Sequence, residues 1–382
     1  MIQHQSYDYV FLGAGCASLS IVVRILKNSQ FDGKKILLID KAPKVQNDRT
    51  WCYWEKENGF FDDIVYKRWD TISFYSEEYS SDMTIAPYQY KMIRGIDFYD
   101  HCFRIIAQYP NVELAYGNID TFSRKGRQLS ISLDGGNYVL DAGEVFNSVV
   151  QPDKDSTKSI ELLQHFKGWV VETAKDFFNP AIATMMDFRV HQKEGTTFSY
   201  VLPFDARTAL VEYTLFTKQL LPQQQYDEEL KNYISKHLEI ENFIVREAEF
   251  GVIPMSSRRF KYEENGIYHI GTAGGQTKAS SGYTFQFIQK HSQQVVDYLG
   301  AGRQLSRIGA TPKRFRFYDN VLLYILYYNK LPGDRIFTRL FKRNKPQQVL
   351  RFLDNETSLA DELKIIATLP TMPFLSAAMR QL

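Results

Sequence analysis

Tyr9-Val10-Phe11-Leu12, followed without a gap by Gly13-Ala14-Gly15-Cys16-Ala17-Ser18, is the stretch that decides the fold. Four consecutive apolar residues running into a glycine-rich turn read as a strand buried in a parallel sheet. An apolar helix is predicted next, from Ala17 to Lys27. A turn at Phe31-Asp32-Gly33-Lys34 leads to a second strand, Lys35 to Ile39, which ends in Asp40. Strand, glycine loop, helix, strand and acid in this order form a dinucleotide-binding fingerprint of the Rossmann type. Gly13 permits the tight turn, and Gly15 lets the backbone approach a pyrophosphate. The helix amino terminus offers unpaired N–H groups and the positive end of its dipole. Ser18 replaces the usual third glycine and still allows close packing, while Asp40 is placed to accept hydrogen bonds from a ribose.

A second glycine-rich strand-to-helix junction lies far downstream. Tyr268-His269-Ile270 runs into Gly271-Thr272-Ala273-Gly274-Gly275, then Ser280-Ser281-Gly282-Tyr283, with a helix expected from about Thr284 to Leu299. With the first motif at the start of the chain and this one near its end, the favoured dinucleotide is FAD. Backbone amides around Gly271, Gly274, Gly275, Ser281 and Gly282 would hold it from the other side. The layout resembles the glutathione-reductase-type FAD domain of the hydroxylase class, and Arg94, ahead of Ile96-Asp97-Phe98, stands where that class carries an arginine. Many members have an aspartate where this chain has Thr272.

Bulk properties narrow the function. A chain of 382 residues exceeds one ordinary core, so a second domain or large insertion is expected. The 46 basic and 44 acidic side chains nearly cancel, so no global field recruits nucleic acid. Three cysteines, Cys16, Cys52 and Cys102, without a C-x-x-C pair fit reduced packing thiols in a cytosolic protein and offer no metal site. No signal-peptide pattern opens the sequence, and the longest apolar run, Val321 to Tyr328, is far below the roughly 20 residues of a spanning helix. The boundaries expected are a discontinuous FAD-binding domain (1–50, 90–165 and 245–300), an inserted mixed-β substrate domain (51–89 and 166–244) and a helical C-terminal region (301–382).

Asp48-Arg49-Thr50-Trp51-Cys52-Tyr53-Trp54-Glu55, Tyr200-Val201-Leu202-Pro203-Phe204 through Val211-Glu212-Tyr213-Thr214, and Glu249-Phe250-Gly251-Val252-Ile253-Pro254-Met255 stand out in the middle of the chain. Together with the late glycine motif, Phe317 to Leu323 and Arg351 to Asp354, they resemble the bacterial flavoprotein lycopene cyclases over nearly the whole length. That resemblance implies FAD, acting reduced and without net redox turnover, with NAD(P)H as an ancillary reductant. It implies closure of the acyclic ends of lycopene into β-ionone rings, an isomerisation giving γ- and β-carotene. The first glutamate of the family's acidic Phe-Leu-Glu-Glu-Thr motif falls on Glu212, whereas the second is Tyr213 here.

Ring closure starts with a proton delivered to a carbon–carbon double bond, a very weak base. The acid must therefore be a carboxyl kept protonated by burial. Glu212, at the end of the apolar run Ala209-Leu210-Val211, is the first candidate, and Glu55 the second, as acid or final base. Trp51, Trp54 and Tyr213 are candidates to line the substrate cavity and face the developing cation. The plainer reading of the two tryptophans is core packing, with both on one face of a strand. For Glu212 it is a strand-end carboxylate paired with Arg207 or a lysine. Basic and apolar residues interleave in Pro312 to Arg316 and in Arg335 to Arg343, which suggests helices resting on the inner face of the cell membrane, where the substrate would be collected. The competing functions are a flavin monooxygenase or reductase of an apolar isoprenoid, and a non-catalytic FAD- or carotenoid-binding module.

Overall fold

The computed structural model describes residues 2–150, 159–309 and 311–381. The predicted opening unit is present. Strand Ser6–Leu12 leads to helix Cys16–Leu26 and strand Ile36–Asp40, and every residue of that helix is buried. The helix is covered on all sides because the late helix Phe285–Gly300 packs along it. Five parallel strands form the centre of the first sheet, in the order Ile267–His269, Gly136–Asn147, Ser6–Leu12, Ile36–Asp40 and Val112–Tyr116. An antiparallel arm made of Ile119–Lys125 and Gln128–Leu133 extends from the long strand Gly136–Asn147.

The second sheet has seven strands. In order they are Ile244–Ser256, Glu161–Glu172, Thr208–Thr217, Thr196–Pro203, Ile182–Asp187, Thr71–Tyr75 and Ser80–Thr84. All neighbours are antiparallel except Ile182–Asp187 with Thr71–Tyr75. One face packs under helix Gln223–Lys236, through Val211, Tyr213 and Leu215 against Tyr226 and Leu230. The other face is covered by the C-terminal helices, which bring Val321, Leu323, Phe337 and Phe341 onto Ile72, Phe74, Phe198 and Leu202. A three-stranded sheet (Thr50–Glu55, Gln89–Arg94 and Lys67–Trp69) contributes side chains to both the first core and the second.

Two expectations change. Strands Glu161–Glu172 and Ile244–Ser256 sit side by side in the second sheet, so the boundaries drawn at 165 and 245 do not follow sheet membership. Residues 151–158 of that first range lie outside those described. The helices Lys313–Tyr327 and Gly333–Arg343 do not present apolar faces outward, because Val321, Leu323, Ile336, Phe337, Leu340 and Phe341 are all in the core. In this helical region the apolar side chains more than half exposed lie instead on the last two helices, Leu359 and Leu363 on one, Met372, Leu375 and Met379 on the other. No helix among the described residues is long and apolar enough to cross a membrane.

One buried ion pair joins the late glycine motif to this helical region. Lys278 Nζ lies 2.8 Å from Asp319 Oδ1 and donates to Asn355 Oδ1 at 2.7 Å, and Ser280 Oγ donates to Asp319 at 2.6 Å.

Candidate active site

The dinucleotide loop is built as its residues demand. Gly13 has φ of +93°, and a Cβ there would lie 2.3 Å from Ser148 Oγ, so only glycine fits. Gly15 is the N-cap of the first helix, has no side-chain cap, and has no atom within 4 Å of where its Cβ would be. The orphan N–H groups of the first helical turn therefore face open space, which is what a pyrophosphate needs. Ser18 is fully buried and bonds to Ser148, which in turn donates to the carbonyls of Leu12 and Gly13. Asp40 closes the loop: it accepts from the Ala14 amide at 2.7 Å and from Lys44 Nζ at 2.9 Å. Both its oxygens thus have protein partners, in place of the open ribose acceptor expected.

In the late motif Gly271–Gly274 forms a single 3-10 turn, with Gly271, Gly275 and Gly282 all at positive φ. A Cβ on Gly282 would stand 2.0 Å from Gln164 Oε1, so this glycine brings the loop against the second sheet. Arg94 caps helix Gly95–Ile106, forks onto Asp97 at 2.7 and 2.8 Å, and lies over the Tyr66 ring.

A cavity of about 550 Å³ opens between the two sheets. Thr272, Ser281, Gly282 and Thr284 line it from the late motif, Trp51 and Cys52 from the small sheet, and Gln164, Tyr200, Leu210 and Glu212 from the second sheet. Glu212 is mid-strand rather than at a strand end, because Tyr213 to Thr217 continue the strand, and it shares its face with Leu210. Its Oε1 accepts from the Thr214 hydroxyl. Arg207 pairs with Asp176, and among the described residues no cation pairs with Glu212. Burial, reinforced by the neighbouring Glu249 charge, holds its carboxyl far above the usual carboxylate range.

Other candidates separate. Strand alternation sends Tyr213 to the opposite face, where it packs under helix Gln223–Lys236 and away from Glu212. Trp51 and Trp54, three residues apart in one strand, likewise fall on opposite faces. Trp51 lies against Phe98 and Phe285 at the cavity, and Trp54 is in the second core, edge-on to Tyr283 at 4.8 Å. Glu55 does not line the cavity. Buried Lys91 bridges it to Asp62 at 2.7 Å each, and Gln286 donates to its other oxygen.

The residue missed in the sequence is Glu249. It lies on the edge strand of the second sheet, accepts from Thr50 Oγ1 at 2.8 Å, and is within hydrogen-bonding reach of Glu212. Burial raises its carboxyl as well. Glu249 stands in the quoted Glu249-to-Met255 string, but its meeting with Glu212 depends on a sheet register that local sequence does not carry.

Parallel sheet, glycine loop and late glycine motif define the Rossmann-type fold of the FAD-dependent enzymes, joined here to a second, mostly antiparallel sheet. The chain belongs to the lycopene cyclase protein family, whose model matches residues 8–379. No curated protein matches it. Among solved structures it is similar in fold to the flavin-dependent brominase Bmp2 as a triple mutant, at 14% identity and TM-score 0.64, over 94% of this chain and 98% of that one. A geranylgeranyl bacteriochlorophyll reductase-like protein from Thermoplasma acidophilum gives 11% identity and TM-score 0.61, over 99% and 96%. The p-nitrophenol 4-monooxygenase of Pseudomonas putida gives 13% and 0.61, over 97% and 99%.

Proposed function

We propose that this chain is a flavin-dependent lycopene β-cyclase, closing the acyclic ends of lycopene by acid catalysis without net oxidation. The observation that carries the reading is Glu212, a half-buried residue whose carboxyl is desolvated and pairs with no cation among the described residues, lining a cavity that the late glycine motif also lines. The residues fit FAD: the open space over Gly15, the uncapped helix start and the left-handed Gly13 form a pyrophosphate cradle, and Ser281 and Gly282 border the reaction cavity. When bound and reduced, the flavin would supply negative charge opposite a developing carbocation.

The protein side chains do the rest. Glu212 gives its proton to the terminal double bond, the next double bond attacks the resulting cation, and loss of a ring proton completes the isomer. Trp51 and Tyr200 exclude water and turn ring faces to the positive charge. NAD(P)H serves only to bring the cofactor to its reduced state. The hydrocarbon substrate reaches the protein from a lipid surface, and the exposed apolar residues of the last two helices are the surface that would meet it.

The test is expression in a lycopene-accumulating bacterium beside Glu212→Gln. Wild type is expected to yield γ- or β-carotene, and the variant to retain flavin and leave lycopene, a loss on the order of 10²–10⁴-fold for a general acid. NAD(P)H consumption in step with an oxygenated or reduced product would instead make the chain a redox flavoenzyme of the same fold.

A further inference from the structure

Gly168 is in register with Glu212 on one neighbouring strand and with Glu249 on the other. In an antiparallel sheet, residues directly opposite one another point to the same face. Any side chain at 168 would therefore stand between the two carboxyls. A Cβ there would lie 3.1 Å from Glu249 Cγ and 3.2 Å from its Oε1, and glycine leaves the gap through which they meet. Glu249 Oε1 is buried and has no hydrogen-bond partner among the described residues.

The two carboxyls open on different spaces. Glu212 lines the large cavity. Glu249 lines a separate one of about 220 Å³, bounded by Asn47, Tyr66, Arg94 and the exposed residues Arg246, Glu247 and Ala248. Thr50 and Leu210 border both. On the Glu212 side the titratable and charged groups lining the cavity are Asp48, Arg49, Cys52, Tyr90, Tyr200 and Tyr283, and burial keeps Cys52 and the three tyrosines protonated. On the Glu249 side they are Tyr66, Arg94, Arg246 and Glu247.

We propose that Glu249 is the positioning partner of Glu212, sharing its proton across the Gly168 gap and resupplying it from the solvent-side cavity. This rests on the cyclase reading. In each turnover the Glu212 O–H bond breaks as a C–H bond forms on the substrate. The cyclised cation later releases one proton to solvent, and one proton passes from solvent through Glu249 to Glu212. Protons taken up and released are equal, and no electron moves.

The test compares Glu249→Gln and Gly168→Ala with wild type, each purified with its flavin. In Glu249→Gln an amide donor replaces the shared proton and favours the Glu212 carboxylate. The alkaline limb of the cyclisation pH profile is expected to move down by a unit or more, with at least a tenfold loss near neutrality that recovers in acid. Glu249→Asp should restore part of it. Gly168→Ala should shift the profile in the same direction, and it serves if Glu249→Gln does not fold. Infrared spectroscopy adds a readout independent of turnover: a protonated-carboxyl band at neutral pH, lost in Glu212→Gln and in Glu249→Gln. An unshifted profile with the band retained in folded Glu249→Gln, or an unshifted profile in Gly168→Ala, overturns the proposal. A carboxyl band that behaves as expected in a protein that leaves lycopene unchanged would overturn the cyclase reading and keep the pair.

Discussion

At Glu212 the protein desolvates the carboxyl of a half-buried residue with no cation among the described residues to pair with it, an arrangement that costs stability unless the group stays protonated. The sign follows. Its folded-state pKa, about 8, lies above its unfolded value, so its contribution is fully present below the unfolded pKa and is lost as pH rises through about 8. On the proposed cyclase function, which uses the protonated acid, activity is expected to fall over the same alkaline range, and thermal melts at pH 7 and 9 should show Glu212→Gln gaining on wild type at the higher pH. A melting difference that does not change with pH would contradict this. Glu212 was singled out in the sequence because the motif carried it, and the fold sets it in the cavity wall. Its partner and the fate of Tyr213 were not legible in the sequence, since both depend on which face each strand residue takes and which strands are neighbours. Glu55 was misjudged for a similar reason: Lys91, 36 positions away, neutralises it through a strand pairing.

The first strand–loop–helix element separates two uses of glycine that a motif reads alike. Gly13 is required by backbone shape, so Gly13→Ala is expected to lose at least about 1 kcal/mol of stability from the left-handed conformation alone, and more from the contact with Ser148. Gly15 has ordinary dihedrals and open space in place of a Cβ, so Gly15→Val should leave the melt of the flavin-free protein nearly unchanged while abolishing flavin absorbance. Equal destabilisation of the flavin-free forms would remove the distinction. The element itself was legible almost to the residue, because a buried parallel strand and a glycine turn are local signals. The second sheet was not: its strands come from 71–84, 161–217 and 244–256, and no local pattern states that the last of these returns to pair with Glu161–Glu172. The same limit explains the C-terminal helices, whose apolar residues read as a membrane face until the sheet they cover is known.

At the scale of the whole molecule, the last two helices carry five apolar side chains more than half exposed, Leu359, Leu363, Met372, Leu375 and Met379. If they meet the lipid surface, Leu363→Glu combined with Met372→Glu should lower co-sedimentation with anionic vesicles severalfold and leave the melting temperature within a degree or two, since neither side chain is in the core. Unchanged sedimentation would place the contact elsewhere. The Lys278–Asp319 pair has a different reach. Removing one partner of a buried pair leaves an uncompensated charge worth about 3–5 kcal/mol, comparable to a large part of a domain's total stability. The nucleotide-binding half therefore cannot be cut out as a portable cassette, and recombination with a relative's C-terminal helices would succeed only where lysine and aspartate travel together.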